Sequence, residues 1–215
     1  MLKTKLTSIN FDENKIEKEA FFKLSYGLFV LTAKDGDKDN GCIINTVTQI
    51  SEAPSRIVSI AVNKNNFTHD MIMNTGEFNV SVISEKAKFD LFERFGFHSG
   101  RDTDKFAGLP EDRTSNGIRY IKENTNAVLS MKVLETVDCI THTLFIASVT
   151  EARVLSDTAS ATYAYYHKNI KPQPNKKVKG YVCTICGYIH EDETLPEDFI
   201  CPWCKHGAEY FEPIE

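Results

Sequence analysis

The sequence predicts a mainly β chain: a β-barrel with helical crossovers, followed by a small cysteine-rich domain. Three observations carry this reading. Most of residues 1–167 falls into short β-branched runs divided by turn signals, with few helical periods among them. The charge balance then changes abruptly along the chain. Finally, four of the six cysteines fall within 22 residues as two C-x-x-C pairs, Cys183/Cys186 and Cys201/Cys204.

Each expected element has a local reason. Glu13 to Leu24 places Ile16, Ala20, Phe21 and Leu24 at helical spacing, which predicts a helix with that face inward. Tyr26–Ala33 and Gly41–Ile50 are expected to pair as strands around the polar turn KDGDKDN. Arg56–Val62 (RIVSIAV) and Glu77–Ile83 (EFNVSVI) are strands by β-branched content. Between them, Phe67–Asn74 ends in Thr75-Gly76, the signature of a short helix closed by glycine. Ala87–Phe95 reads as a second helix, and Ala127–Thr136 and Ile140–Leu155 as two long strands.

From Lys168 to Lys179 the chain reads KNIKPQPNKKVK, with five lysines, two prolines and no acid. Proline favours extended backbone and like charges repel, so a semi-rigid linker is expected. Beyond it, residues 180–215 carry eight acids against one lysine, while residues 1–167 are close to neutral. The expected division is therefore a barrel domain over 1–167, a linker over 168–179 and a cysteine domain over 180–215.

Hydrophobic content of 41% and charged content of 26% suit a globular chain. The longest apolar run, Tyr26–Ala33, falls far short of the ~20 residues of a membrane span. The first residues, MLKTKLTSINFDENK, lack the apolar core of a signal peptide, so a cytoplasmic location is expected, with no membrane partner. A net charge of −5 argues against a nucleic-acid partner.

Two short turns, each offering two sulfurs, can hold one tetrahedral ion, and the spacing alone separates neither iron from zinc nor an electron carrier from a structural ribbon. The surroundings go further. Gly180–Ile189 (GYVCTICGYI) and Leu195–Cys204 (LPEDFICPWC) resemble rubredoxin along almost the whole segment. The resemblance implies one iron held by Cys183, Cys186, Cys201 and Cys204, with Tyr181, Tyr188, Phe199, Trp203 and Phe211 packed around it. Lys205 departs from the glycine usual in that family. A four-thiolate site is coordinatively closed, so it can pass one electron but has no open position for bond-making chemistry.

None of the eleven glycines builds a GxGxxG or a Walker A sequence. Instead, Asn45, Thr46, Thr48 and Gln49 stand where a strand should be leaving the core, and could bond the edge of a flat heterocycle. Asn63, Lys64, Asn65 and Thr68 stand at the entrance to the helix near Phe67, where backbone N–H groups and a lysine make an anion site. Taken singly these are also a strand end and a capped helix. Together with Gly76–Val82, Asp104-Lys-Phe106 and His142–Val149, they resemble the flavin reductase-like family, whose split β-barrels bind FMN. That resemblance implies Asn45, Thr46, Val47, Thr48 and Gln49 at the isoalloxazine. It puts Asn63, Lys64, Asn65 and Thr68 at the phosphate, with His69 either in reach of it or on the helix surface. It also implies His142 as the catalytic residue near the reactive face, and a homodimer.

Joining such a barrel to a rubredoxin is similar to the high molecular weight rubredoxins of anaerobic bacteria. The family implies NAD(P)H as donor, FMN and iron in series, and a flavodiiron protein that reduces oxygen or nitric oxide as acceptor. Two alternatives stay open: a pure electron carrier reduced by another flavoprotein, and a zinc-ribbon interaction module on a silent barrel. Cys42 and Cys139 read as small buried residues, His98 and His167 as surface or packing residues. Tyr163, Tyr165 and Tyr166 read as core or dimer packing, or as one ring over the flavin.

Overall fold

The computed structural model describes residues 3–5, 15–172, 180–185, 187–203 and 206–214. The N-terminal part is one eight-stranded sheet with two helices. Its strands are β1 (Lys3–Lys5), β2 (Phe29–Asp35), β3 (Lys38–Ile44), β4 (Val47–Ser51), β5 (Ile57–Asn63), β6 (Glu77–Ile83), β7 (Thr125–Cys139) and β8 (His142–Val154). Helix α1 (Phe67–Thr75) joins β5 to β6, and α2 (Phe89–Gly96) follows β6. Strand order is β3-β2-β6-β7-β8-β5-β4, with β1 parallel to β7.

This order closes the sheet into a barrel. The two terminal strands, β3 and β4, are consecutive in the chain, and only Asn45 and Thr46 lie between Ile44 and Val47. So short a connection spans at most about 11 Å, so the two ends of the sheet must meet there. The seam of the barrel thus falls on the polar pair Asn45-Thr46. One continuous strand over Gly41–Ile50 was expected; there are two, on opposite sides of the seam.

Alternation along β5, with Val58, Ile60 and Val62 buried, shows why these strands form: one face of each lines the interior. Leu31, Phe78, Val80 and Phe145 fill that interior, and Met71 and Ile72 of α1 pack on it. Gly76 closes α1 at φ +72, donating its N–H to the Ile72 carbonyl at 2.8 Å, as the Thr75-Gly76 pair predicts. Leu91, Phe92 and Phe95 of α2 build a second core, in which Tyr166 stacks 4.5 Å from Phe92. Tyr166 is therefore core.

Two expectations are corrected in form. The helix expected over Glu13–Leu24 is a 3₁₀ segment over Lys18–Lys23, and Glu13 lies outside the described residues. Its apolar stripe finds no opposing surface: Phe21 is 57% and Leu24 54% exposed. Without burial, an apolar period does not sustain an α-helix. At the other end, helical turns over Tyr163–Tyr165 and Tyr166–Ile170 carry barrel packing to Ile170, three residues into the segment expected as linker. Residues 173–179 lie outside the described residues. Beyond them, β9 (Tyr181–Cys183), β10 (Ile189–His190) and β11 (Phe211–Pro213) form a separate antiparallel sheet in the order β10-β9-β11. Among the described residues no helix is long and apolar enough to cross a membrane.

Candidate functional site

The residues expected at the isoalloxazine and at the phosphate meet at one corner of the barrel, where β4, β5 and α1 join. Strand β4 pairs with β5 in the register Val47↔Ile60, Thr48↔Ser59 and Gln49↔Val58. Thr46 extends that pairing with its side chain: the hydroxyl donates to the Ala61 carbonyl at 3.0 Å and accepts from the Ala61 N–H at 3.3 Å. Its hydroxyl therefore ties this end of the seam to β5. Asn45 is half-buried, and Thr48 and Gln49 point outward. Strand β5 then delivers Asn63, whose Oδ1 accepts from the Asn65 N–H at 2.9 Å and turns the chain into α1.

Helix α1 begins with an unusual cap. Asn66 holds the capping position but makes no capping bond; its amide donates instead to Cys42 Sγ at 3.6 Å. The first-turn N–H groups are thus not answered by the cap residue's side chain, and a helix N-terminus in that state favours an anion. It opens on a cavity of about 250 Å³ whose lining includes Asn65, Thr68, Cys42 and Lys105. Thr68 is buried there, accepting from Asn40 Nδ2 at 3.0 Å.

Lys105 is the group that residue-by-residue reading missed. It is only 5% exposed, and its Nζ donates to the Gly41 carbonyl at 2.9 Å and the Phe95 carbonyl at 3.2 Å. Both acceptors are carbonyls, which carry no charge to balance an ammonium. Burial pulls the Lys105 pKa down, partly offset by Cys42; burial pushes the Cys42 thiol up, partly offset by Thr68 and Lys105. The signal was the Asp104-Lys-Phe106 triplet. Asp104 Oδ1 accepts from the Phe106 N–H at 2.9 Å, and Phe106 is buried with Arg119 stacked 4.5 Å above its ring, so Lys105 is aimed inward by its neighbours. A buried cation beside an uncapped helix start is a donor set that fits the phosphate of FMN.

His142 opens β8 after the two-residue turn Ile140-Thr141. Its register partners are Asn63 on β5 and Cys139 on β7. The turn is pinned at three points. Asp138 Oδ1 accepts from the Ile140 N–H at 2.9 Å, Lys64 pairs with Asp138 at 2.7 Å, and the Lys64 N–H donates to the Thr141 carbonyl at 3.0 Å. This bracing holds Ile140 at φ +65, an outlying value for a β-branched residue. Lys64 therefore arrives with its charge already paired. His142 Nδ1 lies 2.9 Å from Thr141 Oγ1, and burial first, then nearby His69, lowers its pKa from the usual 6.5. His69 turns inward from α1: Nε2 lies 2.8 Å from Thr143 Oγ1, Nδ1 lies 3.3 Å from Asp70, and the ring packs edge-on to Phe145. It is a packed residue of the barrel wall rather than a helix-surface histidine. Cys139 is half-buried and donates weakly to the Val137 carbonyl at 3.7 Å. A larger cavity, about 600 Å³, lies elsewhere, beside Ser84, Tyr120 and Leu155, and holds none of the residues singled out above.

In the cysteine module, Cys183 and Cys201 are fully buried in one cluster with Tyr188, Trp203 and Phe211 around them. Each turn is closed by backbone bonds of 2.8 Å, from Gly187 N to Cys183 O and from Cys201 N to His206 O. The two C-x-x-C turns thus bring one cysteine each to a common, dry centre, which supplies two of the thiolates that an iron site of this kind needs. Cys186, Cys204 and Lys205 lie outside the described residues.

Residues 21–173 match the family described as Flavin reductase like domain, and residues 181–212 match the Rubrerythrin, rubredoxin-like domain. A high molecular weight rubredoxin of Moorella thermoacetica is 36% identical over 93% of this chain and 100% of its own. A ferric-chelate reductase (NAD(P)H) of Archaeoglobus fulgidus is 36% identical over 71% of this chain and 89% of its own. The solved flavin reductase of styrene monooxygenase from Pseudomonas putida S12 superposes with a TM-score of 0.58 at 23% identity, over 69% of this chain and 92% of that one, which shows the shared fold. The chain belongs to the flavin reductase-like family and, with its rubredoxin-like end, to the high molecular weight rubredoxins. It is an oxidoreductase of electron transport, and FMN and iron are the cofactors that belong to this pair of domains.

Proposed function

We propose that this flavin reductase-like, rubredoxin-bearing chain oxidises NAD(P)H at its barrel and hands the electrons singly, through its cysteine module, to a separate protein. The observation that carries the reading is that one chain packs the two sites together: Phe97 both lines the cavity at the start of α1 and packs on the Cys183/Cys201 cluster. FMN, when bound, takes up a hydride and releases electrons one at a time, which is what couples a nicotinamide to a one-electron iron site.

The chain's own residues divide the remaining work. The first turn of α1, Thr68 and Lys105 hold the phosphate; Asn45–Gln49 along the seam offer backbone and side-chain groups to the ring edge. His142, kept neutral and fixed by its braced hairpin, presents one hydrogen-bond donor and one acceptor beside Asn63, where it orients the nicotinamide. The buried cysteine cluster admits no hydride, so electrons must arrive there singly. The eight acids of residues 180–215 suit an acceptor with a basic face, and a flavodiiron oxygen or nitric oxide reductase is the candidate. Assembly as a homodimer is part of the same reading, and Ile50 on β4, 59% exposed, is an apolar side chain that such an assembly would cover.

Anaerobic stopped-flow mixing with NADH tests the order of events. Flavin absorbance should bleach first and the iron bands second. Iron that bleaches only when another flavoprotein is added, with flavin untouched by NADH, would make the chain a pure carrier.

A further inference from the structure

Helix α2 presents an aromatic ring at each end to the cysteine module. The Phe89 ring lies 5.8 Å from that of Trp203 at 39°, and 5.8 Å from that of Phe97 at 38°. Phe97, just past the last turn, packs against the cluster built on Cys183 and Cys201. The first cysteine turn is seated as well. Lys171 Nζ donates to the Thr184 carbonyl at 2.5 Å, and Gly187 is buried at φ +84, where an added Cβ would stand 3.1 Å from the Pro172 carbonyl. Glycine is required there both by the backbone and by the close approach. Both cysteine turns are therefore seated: the first on Lys171-Pro172, just past the last residue packed on the barrel, and the second on Phe89 of the barrel itself.

We propose that Phe89 and Phe97 form a docking site, built into the barrel, for this chain's own cysteine turns, and that the docked arrangement is the one in which the iron is reduced. The occupant is the cysteine module of the same chain, through Cys183, Cys201 and Trp203. Electron transfer weakens steeply with the gap it crosses, and Phe97, which lines the cavity that would hold the phosphate of FMN and also packs on the cysteine cluster, fixes the module beside the flavin-binding part of the barrel. Among the described residues the contact is modest, the partly buried rings of Phe89, Phe97 and Trp203 with the Lys171–Thr184 hydrogen bond and the close approach of Gly187 to Pro172, which is the scale of an interface that can be broken and remade. Each docking passes one electron from reduced flavin to ferric iron, which becomes ferrous. NAD(P)H supplies the electrons and the outside acceptor removes them. This inference rests on the electron path proposed above, and its test is arranged to fail separately.

The test is Phe89→Ala in the full-length protein loaded with FMN and iron, with Phe89→Leu as a control that keeps apolar cover. Flavin is reduced photochemically as well as with NADH, so the second phase is read even if NADH proves not to be the donor. Phe89→Ala should leave the NADH-to-flavin phase unchanged and slow the flavin-to-iron phase by about tenfold, the loss expected when an aromatic anchor is truncated. Amide hydrogen exchange, read independently of turnover, should rise in 89–97 and 181–190 and stay unchanged in β5 and β8. Phe89→Leu should recover most of the rate. An iron phase at the original rate in Phe89→Ala, whether or not exchange rises, would overturn the proposal. Failure of NADH alone to reduce the flavin would instead count against the donor, and leave the docking site standing.

Discussion

His142 is held where an imidazole loses its proton more readily than in water. Burial disfavours the charged ring, and His69 close by adds to it. The sign of the consequence follows by linkage. The folded form has the lower pKa, so on acidification the unfolded chain binds the proton first. Stability is complete above the ordinary value of about 6.5 and declines as pH falls through it. His167, lowered by burial and then by Lys171, acts in the same direction. Thermal midpoints at about pH 7.5 and about pH 5.5 should therefore show an acid loss that shrinks in His142→Gln. An identical loss in that variant would show that the ring is not held neutral by the fold. At this scale the sequence was an uneven guide. His142 rests on the resemblance and not on its local pattern, which reads Ile140–Leu155 as one strand, whereas the chain turns at Ile140-Thr141 and the strand starts at His142. The position of Lys64 at the helix entrance suggests a phosphate ligand, but its sequence neighbours do not announce its ion-pair partner, Asp138, which is 74 residues away. His69 was ambiguous because one helical turn does not say which way a side chain faces.

The corner where β4, β5 and α1 join shows what periodicity can and cannot deliver. Glu77–Ile83 was legible residue for residue, and α1 closes at the predicted glycine. The seam was not. Apolar residues continue on both sides of Asn45-Thr46, so the pattern reads as one strand; only the sheet order shows two edges meeting there. The proposed phosphate site likewise draws on several elements: α1 would supply uncapped N–H groups, and the segment after α2 would supply Lys105. Lys105→Met should weaken FMN binding by about tenfold or more, the worth of a charge-assisted hydrogen bond of roughly 1.5–3 kcal/mol. Riboflavin, which has no phosphate, should bind the variant as well as it binds the parent. Fluorescence titration with both ligands reads this directly. Equal loss for both would mean that Lys105 only holds Gly41 and Phe95 in place.

For the whole molecule, charge alone suggests a division into a near-neutral barrel, a lysine-rich connection and an acidic cysteine module, although barrel packing runs on to Ile170. The contact between barrel and module was not, because Phe89 reads as an ordinary apolar position of a short helix, and nothing local announces Trp203 as its neighbour. The central claim is that electrons enter at the barrel and leave only through the iron. Replacing Cys201 by Ser in the full-length chain removes one of the four proposed ligands and leaves the sequence of the barrel unchanged. The decisive measurement is NADH-driven reduction of a purified flavodiiron protein by this variant and by the parent, under anaerobic conditions, with flavin reduction followed in the same samples. Flavin reduction at the parent's rate with delivery to the acceptor abolished is the predicted result; delivery at the parent's rate without iron would contradict it.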